Sequence, residues 1–294
     1  MNKVGFIGVG IMGKSMVRNL MKAGFELHIY ARTKSKVEDV IGEGAQFHES
    51  IKDCVQDCDA VITIVGFPQD VEEVYFDEGN ILDSAKEGAY LIDMTTTSPQ
   101  IAEKIYAEGT KRGFHVMDAP VTGGDTGAKA GTLSILVGGE KEDYEACMPL
   151  FEAMGTNINY QGKAGCGQHC KLANQIMIVG TLSGVCEALT YAKEQGLDPE
   201  VFMKSVATGA AGSKQLDTFG PKILKDDYAP GFFMKHFIKD MKLALIEANR
   251  KGLSLDVLSM VLANYEELEQ EGYGDLGTQA LMKFYDEEHR NTEE

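Results

Sequence analysis

The chain opens on a run, Val4 to Ile7, with no polar side chain, and the run stops at Gly8. Such a stretch bounded by glycine suits a strand buried on both faces. The spacing then changes. Met12, Met16, Leu20 and Ala23 recur at helical intervals, and Gly24 is placed to stop that helix. Leu27 to Tyr30 predicts a second strand, Ala60 to Val65 a third and Tyr90 to Ile92 a fourth. Phe114 to Met117 and Leu133 to Val137 predict two more. Pro68 opens a helix after the third strand. Ser98 and Pro99 supply N-cap and first turn for another after the fourth. Strands and helices alternating at short intervals predict a mostly parallel sheet, with right-handed crossovers and both faces covered.

The pattern differs beyond Gly165, where no convincing strand remains. Gly167 to Gln195 reads as one long helix stopped by Gly196, and Asp198-Pro199 starts another. Ile238 to Lys251 and Asp256 to Gln270 have one apolar face each. The change near Gly162 to Gly165 predicts two domains. Residues 1–163 form an α/β domain and residues 164–294 an all-α domain.

Composition sharpens this. The chain has 294 residues and a formal net charge of −17. A balance that acidic opposes wrapping of DNA or RNA by phosphate neutralisation. From Asn264 to the end, ten acids face only Lys283 and Arg290. The apolar share of 44% is that of a globular protein, and the length suits two cores. No targeting segment is visible at the start. The run Ile176 to Ala192 contains Ser183 and Glu187, so it reads as a buried helix and not a membrane span. The six cysteines read as free thiols of a reducing compartment, so the expected location is the cytoplasm.

Gly8-Val9-Gly10-Ile11-Met12-Gly13 fits G-x-G-x-x-G between the first strand and the first helix. Gly8 permits the tight turn, Gly10 lets backbone approach a pyrophosphate, and Gly13 lets helix and strand pack closely. Ile11 and Met12 open the helix, whose free N–H groups face the phosphates. This context predicts a Rossmann dinucleotide-binding domain. The second strand is where NAD sites carry an acid for the ribose 2′-hydroxyl. Here Tyr30 is followed instead by Ala31, Arg32, Thr33, Lys34, Ser35 and Lys36. Arg32, Thr33 and Lys36 suit a 2′-phosphate, so NADP is favoured. A plain basic turn, with NAD bound, stays open.

Further segments extend the match. Asp93-Met94-Thr95-Thr96-Thr97-Ser98-Pro99 and Asp118-Ala119-Pro120-Val121-Thr122-Gly123-Gly124 come next. Gly165-Cys166-Gly167, Lys171-Leu172-Ala173-Asn174-Gln175 and Phe237-Ile238-Lys239-Asp240 follow in order. With the glycine turn, these segments make the chain resemble the β-hydroxyacid dehydrogenases, which include 3-hydroxyisobutyrate dehydrogenase and 2-hydroxy-3-oxopropionate reductase. The resemblance spans nearly the whole chain. It implies that Lys171 is the catalytic acid/base and that Asn174, three residues on and on the same helix face, bonds the reacting oxygen. A solvated lysine, with a pKa near ~10.4, is too basic for base catalysis at neutral pH, so the role calls for burial. The resemblance also implies that Thr96 contacts the cofactor near its nicotinamide ribose. It implies that Lys239 reaches the cofactor and substrate cleft from the helical domain. Asp240 would pair that lysine or cap a helix. Phe232, Phe233 and Phe237 either pack around it or are core aromatics.

The Thr122 hydroxyl and the amides of Gly123 and Gly124 follow a strand end, where open α/β sheets bind ligands. They could hold a substrate carboxylate, or form a turn that merely needs glycine. The family more often has Ser at position 122, which leaves the substrate's identity open. Cys166, His169 and Cys170 lack a fourth partner for zinc, so no metal is expected. The expected activity is interconversion of a small β-hydroxyacid and its semialdehyde, in a homodimer or homotetramer. The alternatives are reduction of an imine, of glyoxylate or of succinic semialdehyde on the same scaffold, or dinucleotide binding without catalysis.

Overall fold

The computed structural model describes residues 1–285, so the acids beyond Tyr285 lie outside the described residues. Two compact units divide the chain between Lys171 and Leu172.

The first unit is built on nine strands: β1 Lys3–Ile7, β2 Glu26–Tyr30, β3 Gln46–His48, β4 Ala60–Thr63, β5 Tyr90–Asp93, β6 His115–Asp118, β7 Val121–Thr122, β8 Leu133–Gly139 and β9 Gly155–Gly162. Between them run α1 Ile11–Lys22, α2 Glu38–Gly42, α3 Ile51–Val55, α4 Pro68–Phe76, α5 Ile81–Ser84, α6 Pro99–Lys111, α7 Gly124–Ala130, α8 Lys141–Ala146 and α9 Met148–Met154. The order β3-β2-β1-β4-β5-β6 is parallel throughout; β8 then pairs antiparallel with β6 and β7, and β9 parallel with β8. Apolar side chains alternate between two cores. Val4, Phe6 and Ile62 join Met16 and Leu20 on one face, while Ile7, Val61 and Leu91 join Val71 and Ile105 on the other. Burial on both sides is why these strands read as continuous apolar runs.

The expected strands are present, within one or two residues at their ends. Missed from the pattern were β3, β7 and β9. The first and last of these carry polar residues on their exposed positions, such as Gln46, Asn157 and Asn159, so no apolar run marks them. Ser98 caps α6 as expected, its hydroxyl accepting from the Gln100 amide at 3.2 Å.

α10, Cys166–Glu194, starts in the first unit and continues through the second. It is long and apolar enough to cross a membrane by length and composition alone. Here Val179, Leu182, Cys186 and Leu189 on it are buried in the core of the second unit. That unit adds α11 Pro199–Val206, α12 Lys214–Ile223, α13 Met234–Arg250 and α14 Asp256–Gln270. Asp198 caps α11 by accepting from the amides of Glu200 and Val201. α12 was not expected, because Gly220 and Pro221 lie inside it. α13 begins four residues before the predicted start. Phe237, Met241, Tyr265 and Leu281 complete the core, and no strand occurs among the described residues of this unit.

Two glycines of the first turn have opposite surroundings. A Cβ on Gly13 would lie 2.1 Å from the Gly8 carbonyl oxygen, whereas one on Gly10 would meet nothing within 4 Å. Gly13→Ala is therefore expected to lower stability by about 2–3 kcal/mol. Gly10→Ala should stay within about 1 kcal/mol of the wild type, the cost of alanine at an N-cap. Urea unfolding of both variants checks this; equal losses would refute the assignment of close packing to Gly13.

Candidate active site

Parallel pairing sets the ends of five strands in one row. Tyr30 is opposite Ile7, Ile7 opposite Thr63, Thr63 opposite Asp93, and Asp93 opposite Asp118. The glycine turn, the Arg32 segment and Thr96 leave the sheet just after this row, whereas Thr122 to Gly124 follow β7, which continues along β8 beyond it. Such a carboxyl edge is where open α/β sheets bind ligands.

The glycine turn follows Ile7. Gly8 has φ of +97°, and a Cβ there would meet the Ile64 carbonyl at 2.1 Å. The Gly10 amide donates to the Gly8 carbonyl at 2.9 Å, which closes the turn. Gly10 then stands at the N-cap of α1 with no side-chain cap, and the first turn holds no acid. The amides of Ile11 and Met12 open the helix beside the space a Gly10 Cβ would take. Open space, a positive helix end and uncapped donors suit a pyrophosphate.

Arg32, Thr33 and Lys36 are exposed beyond β2. The Arg32 guanidinium donates to Asp70 Oδ1 at 2.9 Å, and Asp70 Oδ2 accepts from the Phe67 amide at 2.9 Å. One carboxylate thus caps α4 and orients Arg32 at the edge.

Beyond β5, the half-buried Thr96 sits between two buried threonines. Thr95 Oγ1 accepts from the Val65 amide at 3.0 Å. Asp93 Oδ1 accepts from the Thr63 hydroxyl at 2.8 Å and the Thr95 amide at 3.1 Å. Burial pushes this carboxyl up to about 6, although those donors pull it down. Beyond β6, Asp118 accepts from the Gly165 and Gln168 amides, both at 2.8 Å, and so anchors the start of α10. Burial raises its pKa, with the two amides opposing. Lys171 lies one turn further along α10 and is only 7% exposed.

Thr122 ends β7 opposite Ser134. Gly123 and Gly124 have φ of +130° and +65° and lead into α7. The segment is a strand-to-helix turn, so the glycine requirement is real, and it lies four β8 positions beyond the pairing of Asp118 with Gly138.

Asn174 and Lys239 belong to the second unit, where two hydrogen bonds and an ion pair join them. Asn174 Nδ2 donates to Gln175 Oε1 at 2.8 Å, and Gln175 Nε2 donates to Asp240 Oδ2 at 2.7 Å. Lys239 Nζ lies 2.9 Å from Asp240 Oδ1, with the carboxylate fully buried. Asp240 therefore pairs with Lys239. Phe237 is a core aromatic, edge-on to Tyr265.

Residues 3–162 match the model for the NAD-binding domain of 6-phosphogluconate dehydrogenase. Residues 165–285 match the model for the NAD-binding region of NADP-dependent 3-hydroxyisobutyrate dehydrogenase. The chain belongs to the β-hydroxyacid dehydrogenase family. An uncharacterized oxidoreductase, YkwC, of Bacillus subtilis is 49% identical, across 96% of this chain and 98% of that one. A probable 3-hydroxyisobutyrate dehydrogenase-like protein of Arabidopsis thaliana, described as mitochondrial, is 44% identical across 95% and 84%. The structure of Mycobacterium tuberculosis 3-hydroxyisobutyrate dehydrogenase with L-serine has a TM-score of 0.89 and 26% identity, covering 97% of this chain and 99% of that one.

As a β-hydroxyacid dehydrogenase, the protein is an oxidoreductase with an NAD(P)-binding first domain. Pairing with Lys239 was one of the two roles expected of Asp240, whereas Asp93, Asp118 and Gln175 stood only inside motifs, and nothing in the sequence marked Gln168, Thr63 or Asp70. An acid at the last position of a buried strand was the available signal for Asp93 and Asp118, since charge is rarely placed there without a task.

The raised Asp93 carboxyl makes stability pH-dependent. The folded state holds its proton more tightly than the unfolded chain does. The resulting stabilisation is complete below about pH 4 and is lost as pH rises through about 6. The stability of the wild type minus that of Asp93→Asn should therefore fall by about 2–3 kcal/mol between pH 4 and pH 7.5. Urea midpoints across that range measure it, and a pH-independent difference would rule it out.

Proposed function

We propose that this dehydrogenase interconverts a small β-hydroxyacid and its semialdehyde, of the 3-hydroxyisobutyrate or 2-hydroxy-3-oxopropionate type, with NADP as cofactor. The observation that carries the reading is the burial of Lys171 on the helix anchored to the ends of β5 and β6. A lysine is seldom buried, and one buried at a ligand-binding sheet edge is a candidate acid/base. The dinucleotide, when bound, supplies the hydride for reduction or accepts it in oxidation. Lys171 gives a proton to the carbonyl oxygen as the carbon becomes a carbinol, and its neutral amine takes that proton back in the reverse direction. Asn174, one turn on, donates to the same oxygen. The Thr122 hydroxyl and the amides of Gly123 and Gly124 hold the carboxylate. Gly8, Gly10, Gly13 and the amides of Ile11 and Met12 receive the pyrophosphate, and Thr96 the nicotinamide ribose. Arg32, Thr33 and Lys36 meet the 2′-phosphate.

The second unit supports assembly with further copies of the chain. Met177 and Tyr191 on α10, and Val257 and Met260 on α14, are each more than half exposed. A Cβ on Gly180 would lie 3.8 Å from Val257, so α10 and α14 come close where these side chains are exposed.

Assays of C3 and C4 semialdehydes and hydroxyacids with NADPH and NADH test the activity. Lys171→Ala should lose about 100- to 10,000-fold in kcat while still binding cofactor. Arg32→Asp should weaken NADPH about 10- to 100-fold and leave NADH nearly unchanged. Wild-type turnover in Lys171→Ala would refute the acid/base role, and an unaltered NADPH-to-NADH ratio would refute the 2′-phosphate site. Light scattering should give two or four times the 32.0 kDa chain mass; a monomer at micromolar concentration would refute the assembly.

A further inference from the structure

Gln168 is fully buried in the first turn of α10. Both ends of its side-chain amide are used. Nε2 donates to the Thr95 carbonyl at 2.7 Å, and Oε1 accepts from the Thr97 amide at 3.0 Å. Those groups belong to the two peptide planes that flank Thr96. Because each plane is rigid, the pair of bonds fixes both backbone torsions of Thr96. Gln168 is itself held through its main chain, whose N–H donates to Asp118 Oδ2. There is no slack beside it. A Cβ on Gly167 would meet the Leu136 carbonyl at 2.4 Å and the Asp118 carbonyl at 2.7 Å. One residue thus ties the end of β6, the segment after β5 and the helix that carries Lys171 three positions later.

We propose that Gln168 is a positioning residue that sets the placement of Lys171 relative to Thr96. This rests on the reading above, in which Lys171 moves the proton and Thr96 seats the nicotinamide end of the cofactor. In that reaction the carbonyl carbon receives the hydride and the adjacent oxygen, about 1.2 Å away, receives the proton. Two donors aimed at neighbouring atoms must be registered to a fraction of an ångström. Thr96 is on a loop, which by itself has no such precision. An amide that grips both of its flanking peptides from the helix of the proton donor supplies it. An apolar side chain of equal size would fill the space but release the Thr95 carbonyl and the Thr97 amide, leaving the loop held at Thr95 by Asp93 and the Val65 amide.

Two variants test this. Gln168→Met keeps the size and removes both bonds. Gln168→Glu keeps the acceptor for the Thr97 amide and regains the donor to the Thr95 carbonyl only when protonated. Gln168→Met should lose about 10- to 100-fold in kcat, with substrate KM within threefold, per active site counted by cofactor titration. The primary isotope effect with 4-deuterated NADPH should rise as hydride transfer becomes limiting. Gln168→Glu should recover relative to wild type as pH falls from 8 to 6. A merely structural role would lower the folded fraction and leave kcat per site and the isotope effect unchanged, and that result would overturn the proposal. So would a Gln168→Glu variant whose ratio to wild type ignores pH. Should the wild type turn over none of the panel, the functional reading falls instead. Hydrogen exchange at the Thr97 amide then decides the clamp without substrate. Gln168→Met should accelerate it at least tenfold, and unchanged exchange would overturn the clamp.

Discussion

The site depends on the parallel register of the sheet. Parallel pairing through β2, β1, β4, β5 and β6 puts Tyr30, Ile7, Thr63, Asp93 and Asp118 in one line. Each chain segment that leaves this line does so on the same edge, because right-handed crossovers return every helix to the opposite end. A slip of one residue in any strand would exchange its two buried faces, so apolar packing on both sides enforces the line more firmly than backbone bonds could alone. The chemistry is thus placed by hydrophobic burial some distance from it.

Two carboxyl groups end that line, and neither comes cheaply. Asp93 and Asp118 are adjacent in register and buried, so each is desolvated, and the charge of Asp118 adds to the cost of ionising Asp93. They persist because each gathers N–H and O–H groups that a sheet end would otherwise leave unsatisfied. Asp93 organises Thr63 and the Thr95 amide. Asp118 caps α10 from another part of the chain, taking the place of a local N-cap side chain. The close contacts at Gly138 and Gly167 follow from that arrangement. A Cβ on Gly138 would meet Asp118 Oδ1 at 2.6 Å, so glycine at both positions is the condition for carboxylate and helix to meet.

The fold was legible where one physical requirement dominates a segment. Strands buried on both faces read as apolar runs, Ser98-Pro99 and Asp198-Pro199 announced helix starts, and the glycine turn announced itself through its context. Edge strands β3 and β9 are apolar on one side only, and three to eight residues of mixed polarity carry no strong period. α12 was hidden by Gly220 and Pro221, tolerated there because Leu216 and Ile223 reach the core. Candidate site residues were legible mainly through glycines and through motif resemblance, which pointed to Lys171, Asn174, Thr96 and Lys239. What holds those residues was not. Gln168 reaches backbone groups more than seventy positions away, and Gln175 reaches Asp240 across 65. A glutamine inside a helix looks like any solvated polar residue until the fold shows what lies against it.

Charge closes the picture. A net −17 and a dinucleotide bearing several negative charges would repel if the acids were spread evenly. Many acids are already engaged on the surface. Asp39 and Glu43 are paired with Lys14 and Arg18, and Asp59 with Lys86, which holds Asp39 and Asp59 well below the usual carboxylate range. At the carboxyl edge the balance is different, because α1 brings no acid in its first turn and Arg32, Lys34 and Lys36 cluster beyond β2. Asp70 is the acid that faces Arg32 there, and its pair is an exposed one, worth about 0–1 kcal/mol. A phosphate offers a guanidinium two or three acceptor oxygens, against the single carboxylate oxygen it meets here. Asp70 therefore holds the Arg32 guanidinium through a contact that costs little to give up.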